Sequence, residues 1–235
     1  MRGRVTAMTL LLSVLESVVT LAGAWPAAAQ DPTTLVAPYL RARDDHDVGV
    51  VAGQVVGDPP RPSGTPVPYE GISVMLLPYS ADLHARLEAI KAHLRDSLKT
   101  YMEATAEVTQ ARAAYERALL GVGGGELIRG EVSDARGLVR LADVPAGEWL
   151  LLGWRTQSHP GKVAKLRKED ASTFRDIPVS TGYSAVSYWL MQLAVRPGET
   201  SSVDLNDRNV WFTGIHDDAH LIEGIPKAAG PKKRR

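Results

Sequence analysis

The sequence contains no cysteine in 235 residues. That excludes disulfide staples, thiol nucleophiles, thiolate metal ligands and a lipid-modified cysteine, so a folded state must rest on a hydrophobic core. It also lacks an excess of either charge, with 27 basic side chains against 27 acidic ones. A near-neutral chain has no basic field with which to displace counterions, which argues against a nucleic-acid partner. There is no Gly-x-Ser-x-Gly elbow. The glycine run 121–125 is not followed by the Lys-Ser/Thr of a phosphate loop. The stretch from Asp204 to Asn209 is rich in oxygen donors but lacks the glycine and terminal glutamate of a calcium loop. The reading therefore assigns no catalytic residue, no cofactor-binding residue, no metal ligand and no cofactor, and expects a protein that is not an enzyme.

One long apolar run is present, at the N-terminus. Arg2 and Arg4 precede a mostly apolar stretch over residues 5–24, and Pro26-Ala27-Ala28-Ala29-Gln30 closes it with small residues. Those three regions in that order predict a secretory signal peptide over residues 1–29, cut after Ala29. Glu16 inside the apolar run would be costly in lipid, which favours cleavage over retention as an anchor. No twin-arginine pair is present. The expected destination is secreted or periplasmic, with no stable membrane span after cleavage. Loss of Arg2, Arg4 and Glu16 leaves 25 basic and 26 acidic side chains, so the mature chain stays near neutral.

Residues 30–47 carry Pro32, Pro38 and a charged run ending at Asp47, with little periodicity, and read as a linker. Short β-branched runs punctuated by turn residues follow, at 48–56, 72–77, 126–133, 138–144, 148–155, 186–195, 200–205 and 209–215. Asp134-Ala135-Arg136-Gly137 and Pro145-Ala146-Gly147 supply turn chemistry between adjacent strands. After the second turn, Trp149 and Leu151 fall on one face of a strand and Leu150, Leu152 and Trp154 on the other. That strand is expected to be central and buried on both sides.

These turn and core positions carry a resemblance. Gly53-x-Val55, Gly71-Ile72-Ser73-Val74-x-Leu76-x-Pro78, Asp134-x-x-Gly137-Leu138-Val139-Arg140-Leu141, Val144-Pro145-Ala146-Gly147-x-Trp149-x-Leu151 and Val195-x-Pro197-Gly198-x-Thr200 resemble the carboxypeptidase regulatory-like domains, grouped with transthyretin-like (prealbumin-like) and Cna-B-like modules. The resemblance spans residues 48–78 and 126–206 and implies a mainly β fold: a seven-stranded, Greek-key-like β-sandwich with a long α-helical insertion. It implies an accessory, structural or ligand-binding role. A Lys–Asn isopeptide staple, which Cna-B members can carry, is not carried over, because every lysine lies outside the predicted strands. The β-sandwich is expected over 48–215, with insertions at 80–120 and 156–185 and a flexible basic tail at 216–235 ending in Lys232-Lys233-Arg234-Arg235.

The insertion 80–120 contains neither glycine nor proline, opens on Ser80 as a possible N-cap and ends at Gly121, a plausible C′ glycine. Leu83, Leu87, Ile90, Leu94, Leu98, Tyr101, Val108, Tyr115 and Leu119 step by three, four or seven, and the segment reads as helix with coiled-coil character. As one straight helix it would span about 60 Å, whereas the chain from Gly121 to Gly137 reaches at most about 55 Å. Either it folds back near 99–102 as a hairpin or it lies along the sandwich; closure favours the hairpin. Its apolar stripe is the expected surface for a protein partner or for self-association. The second insertion, 156–185, has Lys162, Lys165, Arg167 and Lys168 beside Glu169 and Asp170, and reads as a polar connection.

Two further features bear on function. His216 and His220 stand at i and i+4 in His216-Asp217-Asp218-Ala219-His220, a spacing that on a helix presents two imidazoles to one metal. A third ligand would have to come from elsewhere, for instance His46 if the termini meet. His84 and His93 fall on different faces of the predicted helix and make no site. Trp149, Trp154, Tyr188, Trp189 and Trp211 lie in or beside strands, where exposed rings would suit carbohydrate stacking and buried ones a core. An exported, non-enzymatic accessory or interaction module leads this reading. A carbohydrate-binding module is the alternative, and a metal-dependent enzyme using the C-terminal histidines comes after it.

Overall fold

The computed structural model describes residues 32–59, 61, 63–161 and 176–223. The expected signal peptide, the basic cluster 162–170 and the final basic run lie outside the described residues. Among the described residues there are nine strands and three α-helices: α1 (Pro32–Asp44), β1 (Val48–Gly57), β2 (Val67–Pro68), β3 (Ser73–Pro78), α2 (Ala81–His93), α3 (Leu98–Gly121), β4 (Arg129–Val132), β5 (Leu138–Pro145), β6 (Gly147–Pro160), β7 (Asp176–Val195), β8 (Thr200–Asn206) and β9 (Phe212–Glu223).

The strands form two sheets. In the smaller one, β1 pairs antiparallel with β5 and with the two-residue β2, and parallel with β8 from Val50↔Thr200 to Val56↔Asn206. The larger has the order β4-β3-β6-β7-β9, antiparallel throughout. The mainly β, two-sheet frame thus agrees with expectation, whereas the nine described strands exceed the seven that the resemblance implies, and the two-residue β2 at a sheet edge lies outside every predicted run.

Strand β6 occupies the middle of the larger sheet, and Trp149, Leu150, Leu151, Leu152 and Gly153 are all buried. Alternate side chains point to opposite faces of a strand, so β6 has two apolar coverings. On one face, a Cβ added at Gly153 would stand 3.1 Å from Leu205 Cδ1 of β8, which places the smaller sheet there. Val51, Val55, Leu141, Val203 and Leu205 of that sheet join Val74, Leu76, Leu151 and Trp189 of the other in one core.

The opposite face is covered by the insertion. Ser80 caps α2 by accepting from the Leu83 amide at 3.3 Å. Leu83 and Leu87 of α2 and Ala104, Val108, Ala111 and Leu119 of α3 are buried at helical spacing. The insertion is a two-helix hairpin, but the break falls at residues 94–97 rather than 99–102. Ser97 and Thr100 form a capping box that starts α3 there. Most of the insertion's apolar stripe packs into the core, leaving Leu98 exposed but no continuous stripe for a coiled coil. Helix α3 also runs through Gly121, and the glycine with positive φ is Gly123 at +77°.

Three boundaries differ from the sequence reading. The expected linker contains α1, with Val36 and Tyr39 buried; Pro32 opens it at a tolerated first position, and only Pro38 interrupts its interior. Strands β6 and β7 reach into the expected insertion 156–185. Strand β9 continues through 216–223 of the expected flexible tail, paired with β7 as far as Asp176↔Glu223.

Candidate functional site

At the break between α2 and α3, the two helix ends and the start of β9 enclose an open groove of about 570 Å³. Lys91 reaches it from the last turn of α2, Arg95 from the connection, Tyr101 from the first turns of α3, and Trp211 and Thr213 from the sheet side. A cation near the C-terminal end of a helix is favoured by the helix dipole, which accounts locally for Lys91. The Trp211 amide donates to the Tyr188 carbonyl at 2.7 Å, and the indole N–H donates to Glu88 Oε1 at 2.7 Å. That pair of bonds sets the orientation of the ring. Lys91 Nζ lies 5.5 Å from the indole centroid, and Phe212 meets the ring edge-on at 5.0 Å.

The charges around this groove are unevenly satisfied. Glu88 is engaged by Trp211, and Asp96 by His93 at 2.7 Å. Among the described residues no carboxylate pairs with Lys91 or Arg95. The first turns of α3 beside the groove also carry two exposed apolar side chains at i, i+4, Leu98 at 73 % and Met102 at 45 % exposure. Leu98 is one turn from Tyr101, so apolar and cationic surface adjoin.

Other polar clusters are tied into the frame. Arg112 of α3 stacks over Trp154 at 4.6 Å and lies 3.1 Å from Glu116, both charges being only about one-fifth exposed. Burial raises the Tyr188 phenol above its ordinary value, against a smaller opposing effect of its hydrogen bond to Thr109 and the nearby Arg112. At the end of the sandwich, Arg155 stacks on Tyr69 at 4.2 Å and Tyr69 donates to Asp207 at 3.0 Å. Asp207 also accepts from the Asp58 amide at 2.8 Å, so its carboxylate fastens the loop after β1 to the turn before β9. A second groove of about 470 Å³ lies beside α1, lined mostly by Leu35, Pro38, Tyr39 and Tyr79.

The histidines do not converge. His216 and His220 lie on strand β9, where four residues cover about 13 Å; on a helix they would have been one turn apart. His46 sits beside the β5–β6 turn, where the Ala146 amide donates to Asp47 at 2.8 Å. His216 is in register with Ser184 and thence Ser158 of β6. Twelve residues of strand separate those levels, about 40 Å, so His46 cannot complete a site with His216.

Among the strand aromatics, Trp149 and Trp189 are fully buried and Tyr188 nearly so. The Trp149 indole donates to Pro145 O at 2.9 Å and that of Trp189 to Asn206 O at 2.8 Å. Trp154 lies under Arg112. Four of the five are therefore packed into the frame, and Trp211 lines the groove described above. Sequence reasoning named Trp211, and Tyr101 only as part of the helical stripe, but missed Lys91 and Arg95. The visible signal was two cations four apart, followed six residues later by tyrosine, at the point where the helix breaks.

A comparison with protein-family models gives no match, and one with curated proteins gives none either. Among solved structures, a protein of Pseudomonas aeruginosa described as a candidate carbohydrate-binding protein is similar at 14% identity over 68% of this chain and 88% of that one, with a TM-score of 0.38. The pilus backbone protein of Streptococcus pneumoniae matches at 13% identity over 67% of this chain and 41% of its own, TM-score 0.23. A minor pilin of Streptococcus agalactiae matches at 9% identity over 76% and 99%, TM-score 0.25. At these scores and identities none of them bears on what the chain does.

Proposed function

We propose that this chain is an exported, non-enzymatic accessory module that works by protein contact, and that the tip of its helical hairpin is the contact surface. The observation that carries this reading is the exposed pair Leu98 and Met102 beside the groove of Lys91, Arg95, Tyr101 and Trp211. Most of the helical stripe is buried on the sheet, so these two side chains, like Leu120 at the far end of α3, are apolar surface that the fold itself does not use. The reading keeps the carboxypeptidase regulatory-like resemblance, with the two-sheet frame as scaffold. Export rests on residues 1–29, and N-terminal sequencing of the exported protein is expected to begin at Gln30.

The test is a pull-down from the envelope fraction of the parent cells with the mature chain and with Leu98→Ser/Met102→Ser. Both side chains are exposed, so the variant keeps its melting temperature. Capture of the partner is expected to fall at least tenfold, and undiminished capture would sink the reading. A carbohydrate role contracts to Trp211, the strand aromatic that lines this groove. Glycan-array binding abolished by Trp211→Ala would favour it.

A further inference from the structure

The groove also indicates what kind of partner it takes. We infer that it receives an acidic, partly apolar peptide segment, with a carboxylate seated between Lys91 and Arg95 and an apolar side chain laid on Leu98 and Met102. The inference rests on the contact reading above and specifies its chemistry.

Charge complementarity carries it. Lys91 and Arg95 line the groove, while the nearby carboxylates are already engaged, Glu88 by the Trp211 indole and Asp96 by His93. A carboxylate entering between these two exposed cations would meet positive charge that forms no ion pair with a described carboxylate. Such complementarity steers encounter and fixes register more than it adds affinity. Affinity would come from the apolar neighbours, and an unbranched methionine such as Met102 adapts its shape to a partner.

A peptide suits the groove better than an acidic sugar. Sugar stacking needs an open aromatic face, and Trp211 has Lys91 over its ring and Phe212 against it at a 74° interplanar angle. A peptide uses the exposed Leu98 and Met102, which offer a saccharide hydroxyl no hydrogen bond.

The experiment selects a displayed library of random twelve-residue peptides on the mature wild-type chain. Recovered peptides are then titrated against Lys91→Glu/Arg95→Glu and Leu98→Ser/Met102→Ser. The expected result is enrichment of Asp or Glu next to Leu, Ile or Phe, with binding at least tenfold weaker to each double variant. Peptides without acidic enrichment, or ones that bind the charge-reversed variant as well as wild type while failing on Leu98→Ser/Met102→Ser, overturn the acidic partner and leave the hairpin-tip reading standing. Peptides that bind both variants like wild type overturn both. A selection that yields no peptide overturns this inference and leaves the pull-down to decide the contact reading. Oligogalacturonate that binds wild type but not Trp211→Ala overturns it in favour of an acidic sugar.

Discussion

Tyr39 of α1 and Trp149 of β6 meet edge to face, with ring centroids 5.1 Å apart and planes at 74°. The Tyr39 hydroxyl donates to the carbonyl of Glu148 and accepts from the amide of Tyr79 at 3.2 Å, so one side chain holds α1 to two strands of the larger sheet. Tyr39→Phe keeps the ring contact and removes both hydroxyl bonds, leaving the Tyr79 amide donating to the Glu148 carbonyl at 2.9 Å. It is expected to cost about 1–2 kcal/mol, read from urea denaturation; Tyr39→Ala, which also removes the ring, costs more. An unchanged midpoint for Tyr39→Ala would mean that α1 is not docked.

Gly214 of β9 faces α3 at close range. A Cβ there would collide with Thr105 Oγ1 and stand 2.9 Å from Phe212 Cε2. Gly214→Ala is expected to destabilise the fold by about 1–3 kcal/mol, as overpacking does. Thr105 Oγ1 is buried and makes no hydrogen bond, so Thr105→Ala loses little by itself. Combined with Gly214→Ala it should restore part of the loss, and a double-mutant cycle measures that coupling. Strictly additive effects would mean that the two residues do not touch.

Alkaline pH should weaken the fold through its tyrosines. Burial raises Tyr39, Tyr115 and Tyr188 above their ordinary value of 10.0. Above that value the unfolded chain loses these protons before the folded one does. The stability they contribute is therefore intact below pH 10 and is lost as pH rises through the folded values. Denaturation midpoints taken from pH 8 upward should hold until about pH 10 and then fall, and Tyr188→Phe should fall less steeply. A flat alkaline limb in the wild type would contradict this.

Deleting residues 81–120 would not excise an appendage. It would uncover the face of the larger sheet that carries Leu77, Leu150 and Leu152, an apolar surface of the kind that drives aggregation. The deleted chain is expected to be insoluble or to bind a hydrophobic dye strongly. A soluble, cooperatively melting deletion would show that the helices are dispensable cover.

Much of the frame was readable because the relevant signals are local. The run Trp149 to Leu152 is apolar at every position, as a strand covered on both faces tolerates. Asp134 and Gly137 make the turn that their types suggest, with Asp134 Oδ1 accepting from the amides of Arg136 and Leu138 at 2.8 Å and Gly137 at φ +74°. What was not readable depends on distant partners. Helix α1 shows only Val36 and Tyr39 as a stripe, and the residue that makes it worth forming, Trp149, lies 110 positions on. The parallel pairing of β1 with β8 leaves no local trace in either strand. The break in the insertion comes earlier than the sequence suggests because the heptad phase runs through it, while its true mark, Ser97 with Thr100, is a polar cap. His216 and His220 looked like a helical pair until β9 proved extended.

The helical hairpin interrupts a pair of neighbouring strands, since Ser73 of β3 and Val132 of β4 are register partners across the whole insertion. Pairing them as a bare chain would mean closing a loop of some sixty residues before any hydrogen bond is gained, a slow step for a flexible polymer. Helices form within about a microsecond from contacts close in sequence. A hairpin that folds early would draw the ends of β3 and β4 together and shorten that search.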